Sequence, residues 1–244
     1  MRILVIPDTQ VKPDVPIHHH TWIGRLAADK RPDVIVHLGD AYDFYSLNSY
    51  ISKKEIEGQR IIEDIEAGNK AFETLMAPLK KKRSYKPKLH YLLGNHENRL
   101  VRDVNDHPAV ESLIGLHLLN PSVLGWETHP FLRPLRIQQI YFAHYFTNPN
   151  SGRPWAGTCH TKLKNIGLSF VMGHQQGLDL AVRCLPNGQQ QRGLVAGSCY
   201  LHHEEYRGFQ GKESFQGVVM LNDVRGTSYD LMELSLRYLE KRYG

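Results

Sequence analysis

Five short polar clusters hold the residues of this chain best suited to chemistry: PDTQ (7–10), GDAYD (39–43), GNHEN (94–98), AHY (143–145) and GHQQ (173–176). Asp8, Asp40 and Asp43 offer charged oxygens, Gln10, Asn95 and Gln176 offer neutral carbonyl oxygens, and His144 and His174 offer ring nitrogens. That mixture suits a hard-to-borderline divalent cation. Glycines at 39, 94 and 173 let the backbone turn sharply beside such a site.

These clusters need a scaffold that brings them together. RILVI (2–6), DVIVHL (33–38), KLHYLL (88–93), IQQIYFAH (137–144) and SFVM (169–172) read as strands, and polar clusters follow them. In open α/β sheets ligands bind beyond the carboxyl ends of strands, so loops distant in sequence converge there. A helix is expected from about Ile17 to Lys30, closed by Arg31-Pro32. A longer one is expected from about Lys53 to Leu79, with Ile61, Ile62, Ile65, Phe72, Leu75, Met76 and Leu79 facing inward. After residue 172 the pattern becomes all-β (LAVRCL, RGLVAGS, GVVML, YDLMEL). No repeat or linker interrupts the chain, and one domain over 1–244 is expected.

The 244 residues, 41% hydrophobic and 23% charged, have enough apolar material for a sizeable core. No apolar run approaches the roughly 20 residues of a membrane span and MRILVIPD is too short for a signal peptide, so a cytoplasmic protein with no membrane partner is expected. Cys159, Cys184 and Cys199 form no CxxC pair and read as small packing residues. A net charge of +5 permits an anionic partner without naming one.

Together and in this order the clusters resemble the calcineurin-like metallophosphoesterase superfamily, whose pattern is DxH, GDxxD, GNH(E/D), H and GHxH. The resemblance covers residues 8 to 176, and the β-rich remainder is similar to the family's second sheet. It implies an α/β fold, a two-sheet β-sandwich flanked by α-helices, with two divalent metal ions. By the same resemblance Asp40 would bridge the ions. Asn95, His144 and His174 would complete one site, and Asp8, Gln10 and Gln176 the other. The family usually has histidine where Gln10 and Gln176 stand. Both departures fall on one ion, which favours retuning over decay: oxygen donors suit Mn²⁺ or Mg²⁺ better than Zn²⁺, with Mn²⁺ favoured and iron also compatible. The alternative is that the glutamines bond only to loop backbone and one ion remains.

The implied activity is metal-dependent phosphoester hydrolysis by a metal-bridging hydroxide, the ions standing about 3.5 to 4 Å apart. His96 would be the general acid and Asp43 its orienting partner. Arg99 is a candidate substrate contact, or else an ordinary surface arginine on the next helix. Phosphodiesters of nucleic acid or nucleotides are the expected substrates, with a phosphomonoesterase or protein phosphatase, or a catalytically silent metal-binding module, as alternatives. Short members with such glutamines look phage-type.

KKKRSYKPK (Lys80 to Lys88) can track a nucleic-acid backbone, or can be a solvated helix end. His18, His19 and His20 face three directions on a helix and read as solvated surface. His37 and His90 read as hydrogen-bonded core residues. His202, His203, Glu204 and Glu205, with Trp155 and His160, are candidates for the rim of the site, plain solvated loop being the alternative for the first four.

Overall fold

In a computed structural model, which describes residues 1–202 and 215–244, the first apolar run forms β1 (Ile3–Ile6), buried along its whole length. Ile3 and Val5 point to one face of the sheet and Leu4 and Ile6 to the other, so both faces must be covered by apolar partners. β1 pairs in parallel with β2 (Val34–His37), β2 with β3 (Lys88–Leu92), and β3 with β4 (Glu127–His129). Two late strands, β10 (Gly217–Arg225) and β11 (Ser228–Ser235), return to the other side of β1 and give the order β11-β10-β1-β2-β3-β4.

The second sheet has the order β5-β6-β7-β9-β8, from β5 (Leu135–Ile137), β6 (Ile140–Ala143), β7 (Ser169–Met172), β8 (Leu178–Cys184) and β9 (Gln190–Ala196). The β-rich remainder therefore divides between the sheets: β8 and β9 join the second, whereas β10 and β11 extend the first.

Ile3, Val5, Val34, Val36 and Leu92 pack against Ile140, Phe142, Val171, Leu194 and Ala196 between the sheets. On the outer face of the first sheet lie α1 (His18–Lys30), α2 (Ile61–Lys80) and α5 (Leu236–Tyr243), which contribute Ile23, Leu26, Phe72, Leu75 and Leu239 to that core. The outer face of the second sheet is covered by α4 (Cys159–Ile166) through Leu163 against Phe170, Met172 and Val195. α3 (Glu97–Asp106) begins directly at the end of the third polar cluster. The architecture is thus two mixed sheets flanked by helices. No helix among the described residues is long and apolar enough to cross a membrane.

Several expectations need correction. α2 begins at Ile61 rather than Lys53 because Gly58 sits at φ +86°, outside helical space, and Ile62 is 51% exposed instead of inward. The run at 137–144 is a hairpin: Ile137 faces Ile140 across a two-residue turn in which Gln138 has φ +56°. His19 and His20 are buried, not solvated, and bond to the carbonyl oxygens of Cys199 (3.1 Å) and Ile17 (3.1 Å). Cys184 is exposed, while Cys159 and Cys199 are buried as expected. His37 is a core residue between Thr9 Oγ1 (3.2 Å) and the Gly39 N–H (3.3 Å). His203, Glu204 and Glu205 lie outside the described residues; His202 stacks on Tyr200.

Candidate metal centre

The polar clusters meet beyond the carboxyl ends of β1, β2, β3, β6 and β7, where a cleft of about 890 Å³ opens. Gln10, Asp40, Asn95, His96, Arg99, His174 and Gln176 line it. Trp155 also lines it, as a rim residue would, whereas His160 lies exposed on α4. Lys80 to Lys88 contribute nothing to its lining. Lys88 begins β3 and the polar cluster follows its other end, so the basic run sits a full strand away.

His144 is placed by β6 and held from behind: its Nδ1 lies 3.0 Å from the Leu38 carbonyl oxygen. That bond fixes a proton on Nδ1 and turns Nε2 toward the cleft, where a bound cation would take the place of the Nε2 proton. Nε2 stands 2.8 Å from Asn95 Oδ1 and 3.2 Å from Asp40 Oδ2. Ligand atoms of Asp40, His144 and His174 all fall within 4.8 Å of one another. A ring nitrogen, a carboxylate and an amide carbonyl converging on one point suit a divalent cation.

The charges agree with that fit. Burial would lower the His144 pKa, but Asp40 and Asp8 raise it to about 9. Burial would raise that of Asp40, yet His144 and His96 hold it far below the usual carboxylate range. Burial, with the Asp40 charge beside it, pushes Asp8 up to about 7 despite His144. His174 is pushed down to about 4, chiefly by burial and then by His144, so its ring is neutral and able to donate a lone pair. Two buried carboxylates this close strongly favour a neighbouring cation.

The backbone is bent to serve this point. Gln10, Asp40, His174 and Gln176 have φ of +41°, +47°, +67° and +57°. Such conformations cost of order 1–3 kcal/mol each in non-glycine residues and cluster at functional sites. Two glycines allow close approach: a Cβ on Gly94 would lie 2.2 Å from Asp40 Oδ1, and one on Gly173 2.3 Å from Asp8 Oδ1. The Asp8 carboxylate accepts the His174 N–H at 3.0 Å, tying the first cluster to the last. Both glutamines are held in place: the Gln10 backbone N–H donates to the Asp40 carbonyl (2.8 Å), and Gln176 Oε1 accepts the Tyr200 hydroxyl proton (2.7 Å).

His96 Nδ1 lies 2.8 Å from Asp43 Oδ1, and its Nε2 is 3.6 Å from Asp40 Oδ2. Burial would lower the His96 pKa, but Asp40 and Asp43 raise it. Burial would raise that of Asp43, but its bond to His96 and the charges of His96, Lys12 and Arg99 lower it. Arg99 is not a surface arginine. It is buried on α3, with Nη1 donating to the Asp43 carbonyl (2.9 Å) and Nη2 3.1 Å from His96 Nε2.

Sequence reasoning missed Glu97. Fully buried, its Oε1 accepts the N–H groups of Ala41 (2.7 Å) and Tyr42 (3.0 Å), and its Oε2 those of Asp40 (3.0 Å) and Gly94 (2.7 Å). One carboxylate thus latches the Asp40 loop to the Asn95 loop. Its place in GNHE was the only sequence signal, and that gave no hint of the partners.

The family model for calcineurin-like phosphoesterases matches residues 1–188. The chain is also similar to the Gene 54 protein of Mycobacterium phage L5, at 27% identity over 199 residues, 79% of this chain and 76% of that protein.

Proposed function

Since the chain belongs to the calcineurin-like phosphoesterase family, a family of metal-dependent phosphoesterases, we propose that it cleaves phosphodiesters of nucleic acid or nucleotides. The observation that carries this reading is the His96–Asp43 pair, 2.8 Å apart, beside the converging donors of Asp40, Asn95 and His144. In this reading Asn95, His144 and His174 hold one ion, Asp8, Gln10 and Gln176 hold a second, and Asp40 serves both. Oxygen donors on the Asp8 side favour Mn²⁺ or Mg²⁺. When bound, the ions would lower the pKa of water for in-line attack and neutralise the phosphoryl charge.

The chain's own residues supply the rest. Asp43 fixes the His96 ring so that Nε2 points into the cleft, where its proton passes to the departing alkoxide. Arg99 reaches Nε2 in this structure, and its planar guanidinium suits a bidentate phosphate contact when substrate enters. Transfer of Arg99 from His96 to the phosphate would free Nε2 to take up a proton from water and pass it to the departing alkoxide. Arg153 and Trp155 on the same cleft supply positive charge and a stacking face, which supports a nucleotide substrate without the lysine run. Arg99 also suits the dianion of a monoester, the second reading.

The test is hydrolysis of bis(p-nitrophenyl) phosphate beside p-nitrophenyl phosphate in Mn²⁺, Mg²⁺, Zn²⁺ or chelator, with Asp40→Asn as control. Mn²⁺-dependent cleavage favouring the diester and lost in the variant supports the proposal. Preference for the monoester replaces it with the second reading. Metal binding without turnover replaces it with a silent binding module.

A further inference from the structure

A second group of ligating side chains lies outside the cleft, on the edge of the first sheet. His90 on β3 stands opposite Glu127 on β4 in the strand register, and His129 follows Glu127 by two residues. Residues two apart on a strand share a face, so the three side chains project together. His90 lies on the same face as Leu92, which packs between the sheets.

The donor atoms are spaced as a small coordination sphere requires. His90 Nδ1 is 3.0 Å from His129 Nε2 and 3.3 Å from Glu127 Oε2, and His129 Nε2 is 3.7 Å from Glu127 Oε1. Ligands at about 2.0–2.2 Å from a tetrahedral Zn²⁺ stand about 3.3–3.5 Å apart. The Glu127 side chain is 66% exposed and those of His90 and His129 are 12% and 16% exposed, which gives an entry path from solvent.

The geometry points to a metal site formed by His90, Glu127 and His129 that takes a Zn²⁺-class divalent transition ion, with water in the fourth position. Two imidazoles and one carboxylate favour Zn²⁺ or Co²⁺ over Mg²⁺ or Ca²⁺. The ion fastens the three-residue edge strand β4 to β3. The His129 carbonyl also accepts the Leu93 N–H at 3.0 Å, one residue before Gly94, so the clip braces the strand that leads into the cleft.

The experiment uses the full chain carrying Asp40→Asn and His174→Ala to weaken binding in the cleft, so that it is independent of the proposed phosphodiesterase reading. After chelation and dialysis, Zn²⁺ is titrated calorimetrically and Co²⁺ by visible absorption. The expected result is one Zn²⁺ per chain, a Co²⁺ d–d band, and a Tm rise of about 5 °C at hundred-fold excess over Kd. Adding His129→Ala or, at the exposed position, Glu127→Gln should remove the stoichiometric site and most of the Tm rise, with circular dichroism unchanged. Absence of Zn²⁺ binding in the parent, or binding undiminished in a folded Glu127→Gln and His129→Ala pair, overturns the assignment.

Discussion

Replacing Glu97 by Gln tests whether one buried carboxylate holds the site together. Both oxygens accept two backbone N–H groups each, Ala41 and Tyr42 on Oε1, Asp40 and Gly94 on Oε2. A glutamine has one carbonyl oxygen, so in either orientation its NH₂ meets two buried N–H donors that have lost their acceptor. Each orphaned donor costs about 1–3 kcal/mol, giving a loss of roughly 2–6 kcal/mol for the pair. At about 0.5 kcal/mol/K of unfolding entropy for a chain of this length, Tm should fall by about 4–12 °C. The freed loops carry Asp40 and Asn95, so Mn²⁺ affinity should fall with stability. Scanning calorimetry in chelator gives the first quantity and Mn²⁺ titration of the folded variant the second. A Tm change under about 2 °C with unaltered Mn²⁺ affinity would refute the latch.

Three further outcomes are expected. His96→Ala should keep metal binding but lower turnover by about 10²–10⁴, less so on esters with good leaving groups, and equal losses across a leaving-group series would contradict the acid role. Gly173→Ala should displace the Asp8 carboxylate, which the new Cβ would meet at 2.3 Å, and lower Mn²⁺ affinity about tenfold or more by calorimetric titration. His20 has a pKa pushed by burial to about 4, so below its unfolded value near 6.5 the unfolded chain binds more protons and stability falls with pH. Between pH 7 and 5 this ring removes about 2 kcal/mol, so in chelator His20→Gln should lose about 4 °C less of Tm than the parent; parallel profiles would exclude that linkage.

Where physics is local, the sequence was readable. RILVI, DVIVHL, KLHYLL and SFVM are apolar runs too short for helices, and they form β1, β2, β3 and β7. The hairpin at 137–140 was not readable, because Gln138-Gln139 lacks the usual turn residues and Gln138 nevertheless takes a positive φ. α5 was missed because Leu236 and Leu239 give too little pattern in eight residues. Burial of His19 and His20 depends on packing of α1 against distant chain, including the Cys199 carbonyl, and no spacing rule encodes that. The donors of the cleft were legible as types; the Glu97 latch and the Arg99–His96 contact exist only once α3 docks on the Asp40 loop.

The two glutamines acquire a clearer meaning beside their neighbours. Gln176 is held at φ +57° with Oε1 accepting the hydroxyl proton of Tyr200, a residue 1% exposed. A buried hydroxyl needs an acceptor, so position 176 has a structural partner fitted to an amide oxygen. A carbonyl oxygen has two lone pairs and can serve the tyrosine and a cation together, whereas an imidazole nitrogen has one. Histidine at 176 would have to turn one ring nitrogen to Tyr200 and the other to the ion, a different ring placement. Gln10, likewise in left-handed backbone, is fixed through its N–H to the carbonyl of Asp40, the residue proposed to serve both ions. Random loss of histidine would leave surroundings shaped for a ring; here a buried tyrosine is matched to the amide. That match fits the proposed oxygen-donor site better than an abandoned one, and under that proposal Tyr200 would help to hold the Gln176 amide in place.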